Sequence, residues 1–385
     1  MLRSRIKDVA VITHLSPAQT VRPRKHLGAR SAYSPYLYVS FLVIIVILGW
    51  KYSYDFSLVA NITSHGRVAP VAFSGTVAYG TRGHGSGTAT NVRNAILAGF
   101  RHVATAAFHK DNDETAAGEG WVAASNISKE TAGAEPIDRE DLYLQTMFVP
   151  WGTPNHAPPI QSDGWEGEPP SISDQVRQSV ESSLKNLRTD RLDAVIYHNF
   201  RAKLQPYDEM IEAWRELENY VRRGIVRHLG ISNIHDLDYL ERLINDAEVK
   251  PSIVQNRFHK NRAFDVQMRP LLAQHDIKSQ SFWVLTGNGS AIGKSAVQAL
   301  AKELSVSPQM LMYDFLISLG SCPLIGTQSE EHMQDDIRVA AIHESGKKLF
   351  RDITGRDEDR RVMAKAIGIP YQCVHRPEDC RSSVD

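Results

Sequence analysis

Neither sign of charge predominates in this chain: 44 lysines and arginines are matched by 44 aspartates and glutamates. That balance leaves no electrostatic footprint for nucleic acid, and this partner class is set aside. Cysteine is scarce: Cys322, Cys373 and Cys380 are the three, and no two of them stand at metal-ligand spacing. Cys373 and Cys380 are close enough for a tail disulfide in an oxidising compartment, and equally read as two free thiols. A dinucleotide fingerprint is also lacking. "GTRGHGSGT" at 80–88 is glycine-rich but opens no clear strand–turn–helix unit, so it reads as a flexible loop and gives a doubly wound open sheet no support.

What is present begins with "YLYVSFLVIIVILGW" at 36–50, almost wholly apolar and flanked by Tyr33, Tyr52 and Tyr54. Aromatic residues favour the bilayer interface, and a span needs roughly 17–25 residues, which this run reaches with its flanks. Arg3, Arg5, Lys7, Arg22, Arg24, Lys25 and Arg30 precede it, whereas only Lys51 and the distant Arg67 follow. The positive-inside rule therefore predicts a basic cytosolic tail (1–35), a signal anchor (36–52), a linker (53–69) and a lumenal or extracellular remainder. A cleaved signal peptide fits less well, because the leader before the run is long and mostly polar. Asn61-Ile-Thr63, Asn126-Ile-Ser128 and Asn288-Gly-Ser290 fit glycosylation acceptors in such a domain.

Beyond residue 70, apolar runs alternate with helical stripes. Strand-like segments are Val103–Ala107, 141–149, 192–198, 225–232, 252–258, 277–285 and 323–326. Stripes such as Val176, Val180, Leu184 and Leu187, or Ile211, Trp214, Leu217 and Val221, fall between them at helical spacing. Strand–helix repeats without hairpin signals imply a parallel sheet, and about eight strands within 70–345 predict an α/β (β/α)8 TIM barrel with a C-terminal extension at 346–385. Catalytic groups of such barrels sit at the C-terminal ends of strands. That rule singles out His109, Met147, His198, Ser232, Asn233, Gln255, Phe282 and Thr327. The proline- and glycine-rich stretch 150–171 reads as a long loop on the same face, with Trp151 and Trp165 able to roof a pocket.

Several strand ends, in order, resemble the aldo-keto reductase family. "LDAVIYHNF" resembles its strand ending in a catalytic histidine, here His198. "VRRGIVRHLGISNIHDL" resembles its "GKVRxIGVSNF" segment, which implies that Ser232 and Asn233 hold the nicotinamide carboxamide. "PSIVQNRFHKNR" adds Gln255 as the other amide contact. "IKSQSFWVL" places Phe282 where an aromatic ring stacks on the nicotinamide, with Leu285 close behind. "PLIGTQSEEHMQDDI" resembles the adenosine-phosphate grip, with Thr327, Gln328 and His332 at or near its polar positions. The resemblance implies NADP, or NAD, as cofactor and a small carbonyl or alcohol as substrate.

The same alignment shows departures. The family transfers hydride to a carbonyl carbon while a tyrosine, tuned by a lysine–aspartate pair, protonates the oxygen and a histidine orients the carbonyl. Its "R-x-I-D-T-A-x-x-Y" stretch maps onto Arg101–His109, with Ala104 for the aspartate and His109, or Phe108, for the tyrosine. Met147 stands for the lysine, and only His198 is kept. The phosphate grip loses its lysine and gains Glu330, Glu331, Asp335 and Asp336. Two functions follow as expectations. One is a membrane-anchored NAD(P)-linked oxidoreductase with His198 and His109 as a rebuilt catalytic pair. The other is a non-catalytic barrel that binds nucleotide, a small ligand or a partner. A zinc site from His109, His198 and His259 has no spacing to support it.

Overall fold

The computed structural model describes residues 76–151, 170–198, 206–345 and 357–375. Eight parallel strands close into a barrel in sequence order. They are β1 (Ala78–Gly80), β2 (His102–Ala104), β3 (Tyr143–Phe148), β4 (Leu192–His198), β5 (Val226–Ser232), β6 (Ile253–Arg257), β7 (Lys278–Phe282) and β8 (Ser321–Ile325). Helices α1 (Thr88–Ala98), α2 (Glu114–Glu130), α3 (Ile172–Asn186), α4 (Tyr207–Arg222), α5 (Leu237–Asp246) and α6 (Met268–Gln274) follow strands β1 to β6. After β7 come α7 (Gly289–Ile292), α8 (Ser295–Leu304) and α9 (Pro308–Ser318), and after β8 come α10 (Glu330–Glu344), α11 (Glu358–Ile367) and α12 (Gln372–His375).

Each strand is an apolar run because helices cover the outer face of the barrel while side chains fill its interior. The run "LDAVIYH" of β4 is buried along its length except at His198. Ser171 and Ser307 cap α3 and α9 by accepting from the backbone N–H groups of Asp174 and Met310. Such caps satisfy donors that a helix start otherwise leaves open.

Close helix approach depends on glycine in α2. A Cβ at Gly118 would lie 2.2 Å from the Asn186 carbonyl oxygen, and one at Gly120 would lie 2.6 Å from that of Ala89. Backbone cannot rotate aside as a side chain can, so α1 and α3 would have to move. Gly118→Ala is expected to lower stability by about 1–3 kcal/mol despite the better helix propensity of alanine, as read by urea unfolding.

Two sequence expectations are corrected. The glycine-rich stretch 80–88 does form a strand–turn–helix unit: β1 leads through a 3-10 turn at Gly85–Gly87 directly into α1. β1 has only three residues and ends at Gly80, so no apolar run marks it in the sequence. The Asn288 triplet is not an acceptor site in the folded chain, because Asn288 is buried and its Nδ2 donates to the carbonyls of Phe258 and Val284. Asn126 does lie exposed on α2. The described part of the C-terminal extension packs onto the barrel. Met363, Ala364, Ile367 and Cys373 join the main core, and Lys294 Nζ donates to the Ala366 carbonyl at 2.8 Å. Cys373 is disulfide-bonded, whereas Cys322 on β8 is a free, buried thiol.

The apolar run 36–52, the Asn61 triplet and Trp165 lie outside the described residues. Among the described residues no helix is long and apolar enough to cross a membrane.

Candidate active site

The parallel register lines up the strand ends that the sequence singled out. His198 on β4 stands opposite Ser232 on β5, Ser232 opposite Gln255 on β6, and Gln255 opposite Gln280 on β7. Ser232 and Gln255 are buried. The chain leaves β5 through Asn233, whose φ of 58° lies in the left-handed region that asparagine tolerates better than most residues. Asn233 Nδ2 turns back to donate to Ser232 Oγ at 3.0 Å. Asn256 clamps this turn from the neighbouring strand: its Oδ1 accepts from Ile234 N and its Nδ2 donates to the Ile234 carbonyl. Sequence reading missed Asn256, although it directly follows Gln255 in the same motif.

Below this level, amides cross the barrel interior. Gln255 Nε2 donates to Gln280 Oε1 at 2.9 Å, and Gln280 and Gln145 exchange two amide hydrogen bonds at 3.0 Å each. Gln145 Oε1 in turn faces His102 Nε2 at 3.2 Å. Burial pushes His102 down to about 4, so the ring is neutral at neutral pH and Nε2 carries the proton that Gln145 accepts. The consequence for Gln255 is chemical. One N–H of its amide is held by Gln280, which fixes the side chain, and its carbonyl oxygen is the acceptor it offers to a ligand amide.

These strand ends line a cavity of about 730 Å3 at the barrel mouth. Of the sequence-predicted residues, His198, Ser232, Asn233, Gln255, Phe282, Leu285, Thr327 and His332 all line it. Two do not. His109 is exposed and outside the lining, while its neighbour Phe108 points into the cavity. Gln328 is held away by Asn91, whose Nδ2 donates to Gln328 Oε1 at 3.3 Å.

Ala104, Phe108, Met147 and His198 share the cavity wall. The side chains of Ala106, Phe108 and Val149 pack together with Met147 into one apolar cluster there. Near it, Glu114 on α2 is buried and accepts from Thr146 Oγ1 at 2.5 Å and Ser183 Oγ at 2.7 Å. Burial raises its pKa, and Thr146, Ser183 and Asn186 oppose that rise by bonding the carboxylate. Glu114 does not line the cavity, so it serves the α2–α3 packing beneath it. Among the described residues no group of histidine, cysteine and carboxylate side chains could hold a metal ion.

Charge on the cavity wall is segregated. Arg82, just beyond β1, and Arg257, at the end of β6, supply the arginines. Arg82 pairs with Asp111 at 2.7 Å, while the Arg257 guanidinium lies 3.9 Å from the ring centre of the half-exposed Trp283. Glu331, Asp335 and Asp336 of α10 supply the carboxylates. Asp336 is only 4% exposed, and burial, helped by neighbouring Asp335, pushes it up to about 7.

A carboxyl that keeps its proton to about pH 7 when folded, but only to the ordinary carboxylate range when unfolded, disfavours folding as pH rises between those values. Asp336→Asn should therefore raise the melting temperature at pH 8 and leave it nearly unchanged at pH 4. Thermal melts of both proteins at the two pH values check the sign.

An eight-stranded parallel barrel with polar, amide-bearing strand ends around one mouth defines an enzyme-type (β/α)8 scaffold. Residues 75–355 match the aldo/keto reductase family, and the chain belongs to that family. The chain is similar to the methylglyoxal reductase DkgA of Yersinia pestis, at 24% identity over 60% of this chain and 69% of the relative. It is similar to the glyoxal reductase of Bacillus subtilis at 26% identity over 60% of this chain and 70% of the relative. A solved Bombyx mori aldo-keto reductase in complex with NADP shares the fold, with a TM-score of 0.56, 20% identity, and coverage of 76% of this chain and 88% of that one.

Proposed function

We propose that this protein is an oxidoreductase that binds a nicotinamide dinucleotide across the barrel mouth and reduces a small carbonyl compound with an altered set of catalytic residues. The observation that carries this reading is the placement of Ser232, Asn233, Gln255, Phe282 and His198 on the wall of one cavity. Those residues fit the cofactor. Ser232, Asn233 and the free carbonyl end of Gln255 match the donors and acceptors of a carboxamide, and the Phe282 ring offers a face for stacking. When bound, the reduced dinucleotide supplies the hydride. His198 then orients the carbonyl oxygen and donates a ring N–H proton to it, which balances the hydride, and the apolar wall of Phe108, Met147 and Val149 excludes water from the reacting carbon. The named activities of the relatives make 2-oxoaldehydes such as methylglyoxal and glyoxal the first substrates to assay.

The apolar cluster favours a second reading. Where the family places a tyrosine, lysine and aspartate, this cavity presents Phe108, Met147 and Ala104, none of which carries a transferable proton or a charge. His109 is the one nearby titratable group that alignment offers, and it lies exposed outside the lining. A barrel of this kind that binds nucleotide without turnover is a sensor or partner module. An assay of the nucleotide-loaded protein against a panel of aldehydes, ketones and alcohols separates the two. Any turnover abolished by His198→Leu supports the oxidoreductase, and bound nucleotide with no turnover supports the sensor.

The proposed setting is a membrane, with the N-terminus cytosolic and the barrel lumenal or extracellular. The apolar run with its aromatic flanks and one-sided basic leader supports it. Resistance of the full chain to alkaline extraction, with a mass shift on glycosidase treatment lost in Asn61→Gln/Asn126→Gln, is the expected result. Release by alkali without a mass shift contradicts it.

A further inference from the structure

The cavity wall sorts its charges in a way that bears on the far end of the dinucleotide. With the nicotinamide against Phe282 and Ser232, the rest of the molecule must run along the cavity, and α10 is the wall that carries its carboxylates. This helix start is not an open anion site. Its first turn already holds Glu330 and Glu331, and Ser329 occupies its cap by accepting from His332 N. One turn further, Asp335 and Asp336 also face the cavity. Neither lysine nor arginine from this helix lines it; Arg82 and Arg257 come from the β1 and β6 ends.

Asp336 is the telling residue. It is 96% removed from solvent and lines the cavity, and its surroundings among the described residues are burial and the like charge of Asp335, with no donor and no cation against it. Buried polar groups are ordinarily satisfied, so an acceptor left open toward a cavity calls for a donor from a ligand. A ribose 2′-hydroxyl is a donor. A 2′-phosphate is not: it offers only acceptor oxygens and about −1.5 to −2 charge at neutral pH, the worst neighbour for a carboxylate. Acidic side chains facing the ribose diol mark the unphosphorylated dinucleotide on other folds for the same reason.

We propose, resting on the nucleotide-binding reading above, that this chain prefers NAD(H) to NADP(H), because Glu331, Asp335 and Asp336 accept ribose hydroxyls and repel a 2′-phosphate. This departs from the NADP bound by the solved relative and concerns the side chains of this protein alone.

The test is equilibrium titration of the full chain, purified in detergent, with NADH and separately with NADPH, read by fluorescence quenching. It is run at pH 8, above the value of about 7 to which burial holds the Asp336 proton. NADH should bind at least about tenfold more tightly, a difference of ~1.4 kcal/mol. Raising the salt concentration should narrow the gap, since repulsion is screened. In the variant Glu331→Gln/Asp335→Asn/Asp336→Asn the preference should shrink mainly through tighter NADPH binding. Should that variant fold poorly, Glu331→Gln alone, at an exposed position, should move the ratio in the same direction. Equal or tighter binding of NADPH by the unmodified chain, or a ratio unmoved by the variants, overturns the preference while leaving the proposed function standing. Binding of neither nucleotide overturns the proposed function, and this inference with it.

Discussion

Ala104→Asp, Phe108→Tyr and Met147→Lys, introduced together, are expected to raise the rate of carbonyl reduction by about 10²–10⁴-fold, the usual contribution of a placed general acid. The three positions share one cavity wall with His198, so the new tyrosine, lysine and aspartate would converge on the same carbonyl. They must come together for an electrostatic reason. Met147→Lys alone drives an ammonium into a cluster of Ala106, Phe108 and Val149, and an unpaired charge in such surroundings is strongly destabilising. Ala104→Asp supplies its partner. The single lysine variant should therefore melt at a lower temperature than wild type, and the aspartate should recover part of the loss. Turnover of methylglyoxal by the triple variant, measured beside wild type, checks the rate. Replacing Phe108→Tyr by His109→Tyr in the same triple should give no comparable gain, because residue 109 stands exposed beyond the lining.

Trp214→Ala should be the most damaging single core substitution, costing about 3–5 kcal/mol. Trp214 on α4 is completely buried, and its Nε1 donates to the Val249 carbonyl at 3.0 Å. Alanine leaves a large apolar cavity that water does not fill and removes the hydrogen bond to the part-buried Val249 carbonyl. Trp214→Phe fills most of the volume and loses mainly the hydrogen bond, so its cost should be clearly smaller. Urea unfolding of the three proteins gives the comparison. Trp214 does not line the cavity, so Trp214→Ala at low temperature should still bind nucleotide with wild-type affinity.

The barrel was legible where burial on both faces forced continuous apolar runs. The segment 192–198 is β4 to the residue, and the segments at 225–232 and 252–258 exceed β5 and β6 by only one or two residues. β1 was missed because its three residues run straight into a glycine-rich turn, whereas the equally short β2 opens the apolar run 103–107. The nicotinamide end of the site was also legible, since its residues sit at strand termini and adjacent strands in register bring them together. Other features depended on geometry that sequence spacing does not encode. Whether residue 108 or 109 enters the cavity is set by the path of the turn after β2, not by alignment. The bonded amides of Gln145 and Gln280 are 135 positions apart and become neighbours only when the barrel closes. The Asn288 triplet looked like an acceptor site until burial showed its amide serving two carbonyls. Asp336 stood out as acidic, yet its isolation from any donor is a property of the cavity alone.

The central claim is that the strand ends around Ser232, Asn233, Gln255 and Phe282 form a nicotinamide site. Titrating the full chain and its Asn233→Gly/Phe282→Ala variant with reduced dinucleotide tests it most directly, because glycine keeps the left-handed turn while removing the amide. Losing one hydrogen-bonding side chain and one stacking ring should weaken binding by at least about tenfold. Saturable binding by wild type with that loss in the variant is the predicted result. Equal affinity of the two proteins, or no binding by wild type, contradicts the account.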